Sequence, residues 1–233
     1  MNTGPKFLTA KTLECKKLGG KFYSFVFETK IPLIYKPGQY ISIKVSDTRI
    51  NCYSIATSEE GNRISLLVNT LPGGLGSKYF ENLKVGDEIN FLGPFGTFIL
   101  KPDSVSKHIL FMGTGSGCAP LRNMIDYLLK TEHVQTPITL YLGLRYQADI
   151  FWQDYFEKLS QDYSNFKFIL SISKPDAAWQ GKTGHITDLV KQDFSDASSL
   201  TVYLCGKITM IEEAVRILTA NGMAREKIYT EKF

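Results

Sequence analysis

The stretch from Phe111 to Pro120, with the sequence Phe-Met-Gly-Thr-Gly-Ser-Gly-Cys-Ala-Pro, constrains the fold of this chain most strongly. Its three glycines separate an apolar strand candidate from a helical run that begins at or just after Pro120. Glycine lets a backbone turn sharply and approach a phosphate group, and a helix N-terminus offers free N–H groups and partial positive charge. The stretch therefore predicts a strand–turn–helix unit that holds a pyrophosphate. A glycine-rich turn without a ligand is the alternative.

Strand and helix candidates alternate after residue 104. A repeated strand–helix pattern implies a parallel sheet with helices on both faces. Residues before 104 instead form short alternating strand candidates, such as Tyr40–Val45 and Arg63–Val68, which are typical of a small antiparallel barrel. We therefore predict a β-barrel domain over residues 1–104 and an α/β domain over residues 105–233.

The composition excludes several classes of function. A net charge of +4 without blocks of like charge does not favour nucleic-acid binding, and no apolar run approaches the ~20 residues that span a bilayer. The segment from Met1 to Lys11 lacks a signal-peptide layout, so a cytoplasmic protein is expected. Neither C-x-x-C nor C-x4-C-x2-C occurs, so we expect no metal site, and any redox centre would be an organic cofactor. The cysteines are Cys15, Cys52, Cys118 and Cys205.

Two further strand ends should face the same crevice as the glycine-rich turn, because α/β sheets bind ligands at the carboxyl ends of their strands. One is Gly143-Leu-Arg145 and the other is Leu204-Cys-Gly-Lys207. A thiol followed by glycine fits the close approach of a flat ring. The alternative is that Cys205 is a small buried apolar residue, as free cysteine often is.

Taken in order, the motifs of this chain resemble those of the ferredoxin–NADP reductase superfamily, and the resemblance covers nearly the whole chain. The motifs are Tyr53-Ser54, Gly74-Leu-Gly-Ser77, Gly93-Pro-Phe-Gly-Thr-Phe98, Gly113 to Pro120, Gly143-x-Arg145, Cys205-Gly206 with Met210, and Glu231-Lys-Phe233. The second motif also predicts a short helix from Ser77 to Leu83, with Ser77 as its N-cap. Within the superfamily it resembles a stand-alone FAD/NAD(P)-binding oxidoreductase, similar to the flavoprotein module of oxygenase reductases.

The resemblance implies hydride transfer between NADP or NAD and a bound flavin, FAD more often than FMN in this family. Ser54, Cys205 and Glu231 would surround the reacting atoms. The implied flavin-binding residues are Arg49, Asn51, Tyr53, Ser54, Gly74, Gly76, Ser77 and Phe233. The implied dinucleotide-binding residues are Gly113, Thr114, Gly115, Gly117, Pro120, Arg145, Ser173, Lys174, Cys205, Gly206 and Met210.

This sequence departs from the family pattern in two places. Asn51 stands where the family has the arginine that holds the flavin phosphate. Because residues 49, 51 and 53 of a strand point to one face, we hypothesise that Arg49 takes this role and that flavin binding is somewhat weaker. Lys207 stands where the family often has proline, and it could contact dinucleotide phosphates. By resemblance, Phe233 would cover the flavin, so its deletion should change the preference between the two nicotinamide cofactors.

The choice of dinucleotide and of electron partner stays open from the sequence. Arg145 and the Ser173-Lys174 pair favour NADP, whereas Asp149 and Asp176 would oppose a 2′-phosphate. The implied partner is ferredoxin, flavodoxin or a separate iron–sulfur protein, and a monomer or weak dimer is expected. The alternatives are a free-flavin reductase, an oxygenase reductase component, or a regulatory or electron-relay subunit of a larger complex.

Overall fold

The computed structural model describes residues 6–57, 61–101 and 107–232. Within these ranges the chain forms a β-barrel followed by a parallel sheet flanked by helices. The predicted domain boundary at residue 104 and the predicted flavin cover Phe233 lie outside the described residues. No helix of the described ranges is both long and apolar enough to cross a bilayer.

The barrel consists of antiparallel strands that close in the order β1-β2-β5-β4-β3-β6. The strands are β1 (Leu8–Gly19), β2 (Phe22–Thr29), β3 (Tyr40–Ser46), β4 (Arg49–Thr57), β5 (Arg63–Asn69) and β6 (Glu88–Phe95). Inward-facing side chains of alternating residues, such as Phe25, Phe27, Ile41 and Ile43, fill its interior with at most 1% of their surface exposed. The predicted barrel is therefore confirmed.

One helix, α1 (Leu75–Asn82), comes between β5 and β6 in the chain and packs on the barrel near β3 and β5. Its predicted start at Ser77 was wrong by two residues. The N-cap is Gly74, whose carbonyl oxygen accepts a hydrogen bond from the Lys78 N–H at 3.0 Å. Gly74 has no side chain to signal a cap, and Gly76 is a poor helix former, so the sequence pattern concealed the first turn. Phe80 anchors the helix on Phe25, with ring centroids 4.8 Å apart.

The second half of the chain forms a sheet in the order β10-β9-β8-β7-β11-β12, with every pairing parallel. Its strands are β7 (His108–Thr114), β8 (Ile138–Leu144), β9 (Phe166–Ile172), β10 (Lys182–Thr183), β11 (Leu200–Gly206) and β12 (Ile228–Lys232). Its helices are α2 (Cys118–Asp126), α3 (Gln153–Asp162), α4 (Ile186–Asp193) and α5 (Ile208–Ala220). Helices α2 and α3 pack on one face, and α4 and α5 on the other, which confirms the predicted α/β architecture.

The glycine-rich turn leads into α2 earlier than predicted. A 3₁₀ turn over Gly115–Gly117 continues directly into the helix at Cys118, so a start at or after Pro120 was wrong by two residues. Pro120 sits in the first helical turn, where its missing N–H costs no hydrogen bond because those N–H groups have no partner within the helix.

The two domains share one apolar core at their junction. Phe22 and Leu67 of the barrel belong to the same buried cluster as Leu121 of α2. Asn123 of α2 is fully buried, and its Nδ2 donates a hydrogen bond to the Ile55 carbonyl oxygen of β4 at 3.1 Å. The helix that follows the glycine-rich turn is therefore fixed against the strand that carries Tyr53-Ser54.

Candidate functional site

Three predicted residues meet where β4, β11 and β12 come together. Ser54 Oγ donates a hydrogen bond to Glu231 Oε2 at 3.4 Å, and Cys205 Sγ lies 4.0 Å from the same oxygen. Cys205 and Glu231 are register partners on neighbouring parallel strands. The structure thus brings together the three residues predicted to surround the reacting atoms, although Ser54 and Glu231 are 177 positions apart.

Burial sets the protonation of this group. Burial raises the pKa of Glu231 to about 7, and the hydrogen bond from Ser54 opposes that rise. Burial, followed by the nearby Glu231 carboxylate, also raises the pKa of the Cys205 thiol well above its usual value. Cys205 is therefore a protonated thiol at neutral pH and not a thiolate nucleophile. Glu231 in contrast changes charge in the physiological range.

We expect the folding stability of the flavin-free protein to depend less on pH in the Glu231→Gln variant than in the wild type. The pKa of Glu231 is higher in the folded state than in the unfolded state. Its contribution to folding stability is therefore fully present below the unfolded pKa, and it is lost as pH rises through about 7. After allowance for partial solvent exposure, the loss in the wild-type chain is about 1–2 kcal/mol. Urea unfolding of both proteins at about pH 5 and about pH 8 measures this. If the variant and the wild type differed in free energy of unfolding by the same amount at both pH values, the prediction would be contradicted.

A pocket of about 430 Å³ lies between β4 and the start of α1. Arg49 Nε donates a hydrogen bond to Asn51 Oδ1 at 3.0 Å, and Asn51 Nδ2 donates to the Tyr53 hydroxyl at 3.3 Å. A Cβ on Gly76 would lie only 2.5 Å from both Asn51 Nδ2 and the Tyr53 hydroxyl, so helix and strand touch. The pocket is lined by Arg49, Asn51, Tyr53, Asn69, Pro72, Gly74, Leu75, Gly76 and Ser77.

This pocket fits the phosphate end of a flavin nucleotide. It combines a guanidinium group with a helix N-terminus, and both favour an anion. Asn51 does not replace the charge of the family's arginine, but its side chain holds the Arg49 guanidinium at the pocket. The hypothesis that Arg49 takes over the phosphate contact stays a prediction, and the geometry supports it.

Arg49→Ala is expected to weaken flavin binding by about 3- to 10-fold, because a charge-assisted hydrogen bond to phosphate would be lost. Flavin retention after ultrafiltration measures the effect. Arg63→Ala is the matched control, since Arg63 is 3.8 Å from Glu28 on the barrel and does not line the pocket. Equal retention in the two variants would remove Arg49 from the flavin site.

A larger cleft of about 870 Å³ opens between the barrel and the carboxyl ends of the parallel strands. The predicted dinucleotide-binding residues that line it are Thr114, Gly115, Arg145, Ser173, Lys174 and Met210. Lys207 and Asp149 also line it, whereas Asp176 does not. The backbone joins two of these strand ends, because the Lys174 N–H donates to the Arg145 carbonyl oxygen at 2.9 Å.

The other predicted dinucleotide-binding residues do not line the cleft. They are Gly113, Gly117, Pro120, Cys205 and Gly206, all of which are buried. Gly206 has a φ of +130°, and a Cβ there would lie 2.7 Å from the Thr114 carbonyl oxygen. Only glycine fits this position, so the strand end that carries Cys205 can lie directly on the glycine-rich turn.

The sequence did not reveal the barrel's contribution to the cleft. Lys21, Phe22, Asn69 and Leu71 form one of its walls, although they lie far from the glycine-rich turn in the chain. No local pattern marks them, because their role depends on how the two domains pack. Further unpredicted lining residues are His185, Thr187, Asp188, Thr209 and Glu213.

Comparison with known proteins agrees with both halves of the site. A family profile described as an oxidoreductase FAD-binding domain matches residues 9–99, and one described as an oxidoreductase NAD-binding domain matches residues 111–216. The phenol hydroxylase P5 protein of Acinetobacter pittii is 31% identical over 96% of this chain and 65% of its own length. The toluate 1,2-dioxygenase electron transfer component of Pseudomonas putida is 29% identical over 86% of this chain and 59% of its own length.

A solved structure of similar shape is the Amycolatopsis cytochrome P450 reductase GcoB. It aligns with a TM-score of 0.89 at 28% identity, covering 98% of this chain and 70% of that one. The chain therefore spans less than two thirds of the length of the curated relatives named above.

The fold and the site define a two-domain oxidoreductase in which an FAD-binding barrel faces an NAD-binding parallel sheet. The chain belongs to the ferredoxin–NADP reductase superfamily, as its motifs indicated. The predicted FAD and NAD(P) cofactors and the oxidoreductase class are thereby confirmed at the level of the domains. The roles of the individual site residues stay predictions.

Proposed function

We propose that this chain is an NAD(P)H-dependent flavoprotein reductase that passes electrons singly to a separate carrier. The convergence of Ser54 and Cys205 on Glu231 carries this proposal, because it joins strand β4 of the FAD-binding barrel to strands β11 and β12 of the NAD-binding sheet. Tyr53 and Ser54 would hold a flavin here, which would supply the link between two-electron transfer from nicotinamide and one-electron transfer to the carrier. The chain's own residues hold the two rings together and exclude water from the junction.

Each of the three residues has a distinct proposed role. Ser54 orients the flavin by hydrogen bonding, and it also holds the Glu231 carboxyl group at 3.4 Å. Cys205 presents a protonated, fully buried thiol that guides the nicotinamide ring towards the flavin. Glu231, whose pKa burial raises to about 7, takes up or releases a proton next to the reacting atoms.

The names of two relatives favour a second, more specific proposal, in which the electron partner belongs to an oxygenase system. The relatives from Acinetobacter and Pseudomonas are named as components of phenol hydroxylase and toluate dioxygenase. We propose that the electron acceptor is a ferredoxin, a flavodoxin or a separate iron–sulfur protein, because these relatives are named as parts of oxygenase systems. A cytoplasmic location and a monomer or weak dimer remain part of this proposal.

One experiment separates these functions. The purified protein is reconstituted with FAD, titrated with NADH and with NADPH, and then supplied with ferredoxin, flavodoxin or free flavin. We expect the bound flavin to be bleached by one dinucleotide and reoxidised by a one-electron carrier. Turnover of free flavin with rapid loss of the bound one would support a free-flavin reductase. A protein that binds FAD but is not reduced by either dinucleotide would support a relay or regulatory subunit and contradict the proposal.

A further inference from the structure

The hairpin turn between β1 and β2 leaves the barrel and docks on the NAD-binding domain. A Cβ on Gly19 would overlap the Ile150 carbonyl oxygen, and a Cβ on Gly20 would overlap the Asp149 carboxylate. The Ala148 carbonyl oxygen would also lie 3.1 Å and 3.2 Å from these two positions. The paired glycines thus permit a backbone contact that side chains would prevent. The hairpin tip is therefore a fixed contact between the domains.

The next two residues of the hairpin turn towards the dinucleotide cleft. The Phe22 ring packs on Phe151 with centroids 4.7 Å apart, and its Cζ would be 3.6 Å from a Cβ on Gly115 of the glycine-rich turn. The Lys21 carbonyl oxygen accepts a hydrogen bond from the Thr70 N–H at 2.9 Å. The backbone of Lys21 is therefore held in place, whereas 55% of its side chain remains exposed along the cleft wall.

The charges around the cleft give Lys21 a function. The cations that the α/β domain contributes to the cleft are Arg145, Lys174 and Lys207, and the carboxylates that also line it are Asp149, Asp188 and Glu213. A phosphate placed there needs cations on more than one side to offset these carboxylates. Lys21 supplies a cation from the barrel side. Its ion pair with Glu81 is 4.0 Å long between partly exposed side chains, so it leaves the ammonium group available.

We infer that Lys21 binds a phosphate group of the nicotinamide dinucleotide from across the domain interface. The β1–β2 hairpin of the flavin barrel is then part of the dinucleotide site, which it borders next to the glycine-rich turn. The inference rests on the proposed function and adds a residue of the other domain to it. The phosphate is either the pyrophosphate common to NAD⁺ and NADP⁺ or the 2′-phosphate of NADP⁺.

Calorimetric titration of the FAD-loaded protein with NAD⁺ and with NADP⁺ tests this assignment. Lys21→Gln is expected to raise the dissociation constant by about 3- to 10-fold at low salt, with a smaller difference at high salt. Weaker binding of both dinucleotides identifies the pyrophosphate as the group that Lys21 contacts. Weaker binding of NADP⁺ alone identifies the 2′-phosphate. Lys16→Gln is the matched control, because Lys16 is an exposed lysine of the same hairpin that does not line the cleft.

Three outcomes would overturn the inference, and they differ in what they say about the proposed function. If Lys21→Gln binds both dinucleotides as the wild type does, the inference fails and the proposed function stands. If Lys21→Gln loses FAD while dinucleotide affinity is unchanged, Lys21 serves the flavin site instead. If the wild-type protein binds neither dinucleotide, the proposed function and the inference fail together.

Discussion

Gly117→Ala is expected to lower kcat/KM for the reducing dinucleotide by about 100-fold, since a shift of about 1 Å at an active site costs this much. Gly117 lies in the 3₁₀ turn with a φ that any residue adopts, so the effect comes from contact alone. A Cβ there would overlap the Cys205 carbonyl oxygen and lie 2.7 Å from the Gly206 nitrogen. The backbone must therefore move. The end of β11 would move with it, and the distance between the Cys205 thiol and Glu231 would change.

Steady-state assays of flavin reduction measure this effect, and flavin content shows whether the barrel remains intact. Gly143→Ala is the matched control at the next strand end. A Cβ on Gly143 would meet only the methyl groups of Ile186 and Thr114, at 3.2 Å and 3.3 Å, and these side chains can give way. We expect it to change kcat/KM by less than about 5-fold. If Gly117→Ala behaved like Gly143→Ala, the end of β11 would not belong to the catalytic site.

The dinucleotide half of the site was accessible from the sequence because its signals are local. An apolar strand, three glycines and a helical run stand within ten positions, and the repeated strand–helix pattern places every strand end at one edge of a parallel sheet. Arg145, Ser173 and Lys174 could therefore be assigned to one cleft, which they line in the structure. The helix starts were misplaced because glycine and proline punctuate a helix without fixing its first residue.

The proposed catalytic residues could be predicted only through the family resemblance. Ser54, Cys205 and Glu231 lie on three strands of two sheets, and no periodicity relates positions that are 177 residues apart. Nor could spacing reveal that Asn51 holds the Arg49 side chain at the flavin pocket, since this depends on the side chains that share one face of β4.

Neither the local sequence pattern nor the family resemblance predicted the residues that the barrel contributes to the dinucleotide cleft. Lys21 and Phe22 reach the cleft because Gly19 and Gly20 let the hairpin press on the neighbouring domain. Two adjacent glycines before a strand predict a tight turn, but they do not indicate what the turn touches. Contacts between separately folded units follow from packing, which the local pattern does not encode.

Ser54→Ala is expected to slow flavin reduction by NAD(P)H by about 10- to 100-fold, because a positioned hydrogen bond beside the reacting atoms is lost. Removing the Ser54 hydroxyl should also shift the pH dependence of the rate of flavin reduction. The Ser54 hydroxyl lowers the pKa of Glu231 against the larger effect of burial, so its removal raises that pKa further above about 7. The midpoint that reports Glu231 in the rate of flavin reduction therefore shifts to higher pH.

Stopped-flow measurement of flavin reduction across pH checks both effects, and calorimetry checks that dinucleotide affinity is retained. Ser54→Thr keeps a hydroxyl at the same position and should restore most of the rate and the original midpoint. A merely structural role for Ser54 would lower the rate without moving the midpoint. A slow rate with an unchanged midpoint would therefore break the proposed link between Ser54 and Glu231, on which the assignment of the catalytic group depends.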